Sequence, residues 1–242
     1  LENSINWDFG MSYLVNPYMV SGSAYPDGNC INGTATNITV NTSDQPSFAS
    51  GCYDFNGTSS KVEISTSLVT TACSISAWFK TNTVSGDHSI FGQTEALGIN
   101  LYIHNTQLRC SQLAGGGTQL LGTTTLEVDT WYNVILTKTA ESGGGGNAVT
   151  TMYLNNGLEN SESDWSDGTS GAVSLISGHQ TDYWDGFLAD FAAWNVVISS
   201  DLRTEINANS GALISSLSDK SGITTYYPMD EIDGSTCKNI AC

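Results

Sequence analysis

An all-β fold, a jelly-roll sandwich of two antiparallel sheets with one short helix near the C-terminus, is what this sequence predicts. Apolar and polar residues alternate with a period of two through most of the chain. β-Branched residues abound, and Gly, Ser, Asn and Thr clusters interrupt the alternation at short intervals. With 242 residues the chain is long enough to bury a substantial core.

In chain order, strands are expected at 52–55, 61–64, 74–80, 88–93, 98–104, 107–112, 131–139, 149–154, 172–176 and 186–194. Within 74–80, Ile75, Ala77 and Phe79 share one face and Ser76 and Trp78 the other. Within 131–139, Tyr132, Val134 and Leu136 oppose Trp131, Asn133 and Ile135. Two sheets facing each other would enclose one set from each strand. The glycine run inside 142–147 is too flexible for a strand interior and reads as a hairpin tip. Asn155-Asn156-Gly157 is a second turn, because Asn-Gly readily takes the positive φ of tight hairpins. The helix is expected at 199–209, capped by Ser199 or Ser200. The partition is an N-terminal, sequon-rich extension (1–50), a core sandwich (51–209) and a C-terminal strand extension (210–242). Residues 1–20 are aromatic and apolar, and 21–51 are expected to be irregular.

The charge balance excludes two classes of partner. Against 24 acidic residues stand 7 basic ones, a formal net charge of −17, and a polyanion repels nucleic acid and anionic membrane. No apolar run approaches the roughly 18 residues that span a bilayer. Six cysteines (Cys30, Cys52, Cys73, Cys110, Cys237, Cys242) are dispersed without a CxxC pair, which argues for disulfides over zinc. Six allow fifteen pairings; Cys73–Cys110, Cys30–Cys52 and Cys237–Cys242 are the first to expect. Asn32, Asn37, Asn41 and Asn56 head Asn-x-Ser/Thr acceptors, three of them within ten residues. Cysteines and acceptors together lead us to expect a chain outside the cell, whose leader, if it is secreted, is already removed.

Several stretches, in order, carry a family resemblance: CYDFNGTSSKVEIS (52–65), CSISAWFKT (73–81), DTWYNVILTKT (129–139), TMYLNNGLE (151–159) and YWDGFLADFAAWNVVISSDLRTEI (183–206). Over about 150 residues they resemble the laminin-G-like family of the concanavalin A-like lectin/glucanase superfamily. TTYYPMDEIDGST (224–236) resembles the motif with which many such modules begin, here placed last. It either fills the opening-strand slot of its own domain or completes a neighbouring copy through backbone pairing, which would build a filament.

The resemblance raises three questions of chemistry. Glucanases of the superfamily carry Glu-x-Asp-x-(x)-Glu along a strand. Here Glu127 and Asp129 lack the second glutamate and sit in a loop, so no catalytic residue is assigned. His88, His104 and His179 are dispersed. The resemblance also implies a structural calcium, with Asp190 as the last-strand aspartate and carbonyls around Asn56, Gly57 and Ser59 as further oxygens. For glycan recognition, Trp165 and the run Tyr183, Trp184, Asp185 are loop aromatics with acidic neighbours, and Tyr102 and His104 lie on a strand. Trp78, Trp131 and Trp194 match family core positions. The expected function is a non-catalytic extracellular adhesion or assembly module, glycosylated and disulfide-stabilised, and a repeating subunit of a surface or filament structure. A calcium-dependent glycan-binding lectin is the alternative, and a polysaccharide-degrading enzyme a distant third. Expected partners are the chain itself or an extracellular protein or glycan.

Overall fold

The computed structural model describes residues 32–69, 71–94, 98–112, 119–142, 147–167, 173–178, 181–208, 214–231, 236–237 and 239–241. They build two face-to-face antiparallel sheets. In chain order the strands are β1 (Gly33–Thr36), β2 (Thr39–Asn41), β3 (Cys52–Asn56), β4 (Lys61–Ile64), β5 (Cys73–Thr81), β6 (Asp87–Gln93), β7 (Ile99–His104) and β8 (Gln107–Gln112). They continue as β9 (Gln119–Leu121), β10 (Trp131–Lys138), β11 (Ala148–Leu154), β12 (Gly157–Trp165), β13 (Ser174–Ile176), β14 (Asp185–Trp194), β15 (Ile223–Tyr227) and β16 (Thr236–Cys237). The first sheet runs β16-β1-β4-β13-β6-β7-β8-β9, and the second β12-β11-β10-β5-β14-β3-β2 with β15 beside β14.

The alternation does what the sequence predicts. Ile75, Ala77, Phe79, Tyr132, Val134 and Leu136 enter the main core between the sheets, with Val62, Ile64, Leu101, Ile103 and Leu108 from the facing sheet. Burying side chains of this size removes roughly 1.5–3 kcal/mol of hydration cost apiece. The Asn155-Asn156 turn joins β11 to β12 with φ of 47° and 64°, so β12 follows directly. The amide of Ser142 donates to Asn147 Oδ1 across the glycine-rich hairpin; residues 143–146 lie outside the described residues. Helix α1 (Ser200–Asn207) is capped by Ser199, whose hydroxyl accepts from the Leu202 amide. Its Leu202 and Ile206 cover the outer face of the second sheet, where they meet Ile135, Trp194 and Tyr226.

Two expectations are corrected here. The stretch 21–51 is not all irregular: β1 and β2 lie in it, β1 between β16 and β4 and β2 at the edge of the second sheet, because Thr34-Ala35-Thr36 and Thr39-Val40-Asn41 offer β-branched residues to pair with β4 and β3. The Cys73–Cys110 bridge is not formed. Both are buried thiols, as are Cys52 and Cys237. Cys73 belongs to the second sheet and Cys110 to the first. Burial first, and then Cys73 across the core, nonetheless raise the Cys110 thiol, so the two are neighbours without being bonded. Burial pushes the Cys73 thiol up to about 12. Cys30 and Cys242, the other proposed partners, lie outside the described residues.

β14 organises the second sheet. Along one edge it pairs with β5, and along the other with β3 through Leu188 and then with β15 from Phe191. At the changeover Asp190 takes φ of 53°, and the register slips between Ala189 and Ala192. This β-bulge inserts one residue and reverses the facing of all that follows. The C-terminal segment thus occupies slots in its own sheets, β15 beside β14 and β16 beside β1.

Candidate functional site

Most aromatic side chains are spent on the core. Among the described residues only Phe48, Trp131, Tyr153, Tyr183 and Phe187 remain half-buried. Tyr153 is capped by the Arg203 guanidinium, 4.0 Å from its ring centre. Phe48, Trp131 and Phe187 instead gather at one place, on the outer face of the second sheet, with Trp78, Cys52 and Ala189 beneath them.

Sheet register explains the gathering. Direct cross-strand partners run in one row Thr39–Asp54–Phe187–Lys80–Trp131, over strands β2, β3, β14, β5 and β10. Four strand spacings make this row roughly 19 Å long. Lys80 stands between the two rings, its ammonium 4.7 Å from the centre of Phe187 and 5.9 Å from that of Trp131. The ring faces carry negative potential and hold the cation there. Within the connection between β2 and β3, residues 42–50 cross this face as a strap. Asp44 accepts from Lys80 Nζ at 3.0 Å, and its carbonyl accepts from Trp131 Nε1 at 2.9 Å. Phe48 packs on Trp78 with ring centres 5.0 Å apart. At the far end of the strap Ser50 donates to Asp230.

The electrostatics of the row are acidic apart from Lys80. The Lys80 hydrogen bond and charge hold the Asp44 carboxyl below its ordinary value. Asp54 is shifted up, first by partial burial and then by the neighbouring charges of Asp185 and Asp44. Gly186, next to Phe187, is required by geometry. Its φ is 136°, and a Cβ there would lie 2.2 Å from the Lys80 carbonyl oxygen. Chemically, the row offers two flat apolar rings, a desolvated ammonium and two carboxylates, a set suited to stacking on a ring and accepting hydroxyl protons.

The residues expected from sequence are placed elsewhere in part. Trp165 and Trp184 are fully buried in the main core. Trp165 pairs with Ala148 at the end of β12, and Trp184 meets Phe79 edge-on, so neither can present a ring to a ligand. Tyr183 is half-buried against Gly178. Asp185 borders the row and accepts from Asn82. Tyr102 is buried, and His104 pairs with Asp87. Glu127 and Asp129 sit in an exposed loop before β10.

The proposed calcium set does not converge. Register pairs Asn56 with Asp185, so Asp190 lies five residues further along β14. Asn56 Oδ1 already accepts from the amides of Thr58, Ser59 and Ser60. Asp190 is wholly buried, with Oδ1 accepting from the Ile214 amide. Among the described residues no three His, Cys, Asp or Glu side chains form a group able to hold a metal. These residues do not fit a calcium ion. Of the acceptor asparagines, Asn32, Asn37 and Asn56 are exposed and Asn41 is half-buried.

Sequence reasoning missed Trp131, Phe187 and Phe48. The opposition of Trp131 to Tyr132 and Val134 was a signal that this ring faces away from the core.

Comparison with known proteins agrees with the fold. A family model described as the concanavalin A-like lectin/glucanases superfamily matches residues 56–202. No curated protein matches the chain. Among solved structures it resembles a native heptameric SAP-like pentraxin from Limulus polyphemus, at 13% identity and TM-score 0.51, covering 90% of this chain and 99% of that one. A protein from Bacteroides ovatus described as a candidate carbohydrate binder aligns at 19% identity and TM-score 0.54, over 88% of this chain and 56% of that one. Domain 4 of AbnA, a GH43 extracellular arabinanase from Geobacillus stearothermophilus solved with arabinotriose, aligns at 14% and TM-score 0.54, over 73% and 85%. Among the described residues no helix is long and apolar enough to cross a membrane.

Proposed function

Since the chain belongs to the laminin-G-like family of the concanavalin A-like lectin/glucanase superfamily, we propose that it is a non-catalytic, extracellular carbohydrate-binding module. One observation carries this reading: Trp131, Phe187 and Phe48 are kept out of the core and grouped on one sheet face beside Lys80, Asp44 and Asp54. A sugar ring stacks its C–H face on such rings while its hydroxyls bond to the flanking charges. The formal charge of −17 favours neutral glycans over sulfated or uronic ones. Two of the neighbouring folds belong to proteins named for carbohydrate, one of them solved with arabinotriose. The four sequons and dispersed cysteines support an extracellular setting, with glycans at the exposed Asn32, Asn37 and Asn56.

Titration of the intact chain with arabinotriose, xylotriose, cellotriose and maltotriose, with and without chelator, tests the reading. Binding of at least one of them, unchanged by chelator, is expected. No binding to any of the four would overturn it. In the adhesion or assembly reading the terminal strand completes a neighbour; β15 and β16 are already engaged in their own sheets, which favours recognition over strand donation.

A further inference from the structure

Three polar atoms, two on the outer face of the second sheet and one in the strap, are buried without a hydrogen-bond partner: the Trp78 Nε1 donor and the acceptors Asn133 Oδ1 and Gln45 Oε1. Trp78 and Asn133 are direct cross-strand partners on the outer face of the second sheet, 8% and 0% exposed. The Asn133 amide nitrogen donates to Ser76 Oγ and the Ala77 carbonyl, which fixes the direction in which Oδ1 points. Gln45 lies in the strap between Asp44, seated on Lys80, and Phe48, seated on Trp78. The indole nitrogens of Trp165, Trp184 and Trp194 are also unpaired, yet none has an unpaired acceptor as its cross-strand partner. Unmatched buried donors and acceptors are costly singly. Side by side they complement a group that both gives and takes protons.

Resting on the glycan reading above, we infer that Trp78, Asn133 and Gln45 form the polar floor of the site and take a vicinal diol of a neutral sugar. The indole N–H donates to one hydroxyl oxygen, and Asn133 Oδ1 and Gln45 Oε1 accept the two hydroxyl protons. The strap lifts to admit the ring. Its fastenings on this face are the Lys80–Asp44 pair, the Trp131 bond to the Asp44 carbonyl and the packing of Phe48 on Trp78.

Indole proton–nitrogen NMR spectra of the full chain test this, with the Trp78 signal identified by its loss in Trp78→Phe. Addition of each of the four trisaccharides is expected to move that signal downfield for the one that binds, leaving Trp194 in place. Trp78→Phe and Gln45→Ala should each weaken that sugar roughly tenfold. A sugar that moves the Trp131 signal alone, and binds Trp78→Phe as tightly as the parent, would leave the aromatic row as the site and refute the floor. No shift of any indole with any sugar refutes the glycan reading and the floor together.

Discussion

Trp131 and Lys80 are direct cross-strand partners, and the ammonium of Lys80 lies over the Trp131 ring while also bonding to the strap residue Asp44. A cation that alternation alone would leave in solvent is instead only 8% exposed. It fastens the strap to the aromatic row, so the site and its cover share one anchor.

Replacing that anchor should free the strap. In Lys80→Met the hydrogen bond and charge that lower the Asp44 carboxyl vanish, so its titration midpoint returns upward. Amide exchange across 42–50 should quicken while that of β5 stays slow. Carboxyl-carbon NMR titration and hydrogen exchange read the two effects. An unmoved Asp44 midpoint would contradict the role given to Lys80.

Asp190 gives the fold a dependence on pH. Burial is the main cause that raises its carboxyl from 3.8 to about 7; the nearby Tyr226 hydroxyl and the Ile214 amide bond pull it down, and Asp230 adds to the rise. The folded chain therefore holds this proton more tightly than the unfolded one. Stability from this group is full below about 4 and falls as pH rises to about 7, by on the order of a few kcal/mol. Asn at this position keeps the acceptor for Ile214 and needs no proton. Asp190→Asn should flatten the stability profile between pH 5 and 8, as read by urea unfolding. A slope identical to the parent's would show that Asp190 does not set it.

Trp165 separates packing from recognition. Its ring is wholly buried, so Trp165→Ala should cost about 3–5 kcal/mol in unfolding free energy. Trp165→Phe, which retains an aromatic ring, should leave the sugar affinity of the folded protein as it was. A large loss of affinity at full folding would return Trp165 to the binding site.

The strands were legible because the period of two continues through β5, β10 and β11 without interruption. β12 was not: Gly157-Leu158-Glu159-Asn160-Ser161-Glu162 is acidic and polar, and it becomes a strand because the Asn155-Asn156 turn lays it against β11. Of the site's three rings only Trp131 leaves a local signal, since it opposes a plainly apolar face. Phe187 could not. In an unbroken strand Phe187 and Phe191 share a face, yet the bulge at Asp190 sends Phe191 into the core and leaves Phe187 outside. Trp165 and Trp184 looked like loop aromatics because their neighbours are Asp and Ser, whereas strand ends turn both rings inward. The strap's place over Lys80 depends on sheet order, which no local pattern encodes.

Calorimetric titration of the parent, Trp131→Ala and Trp131→Ala/Phe187→Ala with the trisaccharide that binds tests the aromatic row most directly. Losing one stacked ring should weaken binding about tenfold, and losing both should abolish it, with the midpoint of thermal unfolding little changed. Equal affinity in all three proteins would contradict the assignment of this face.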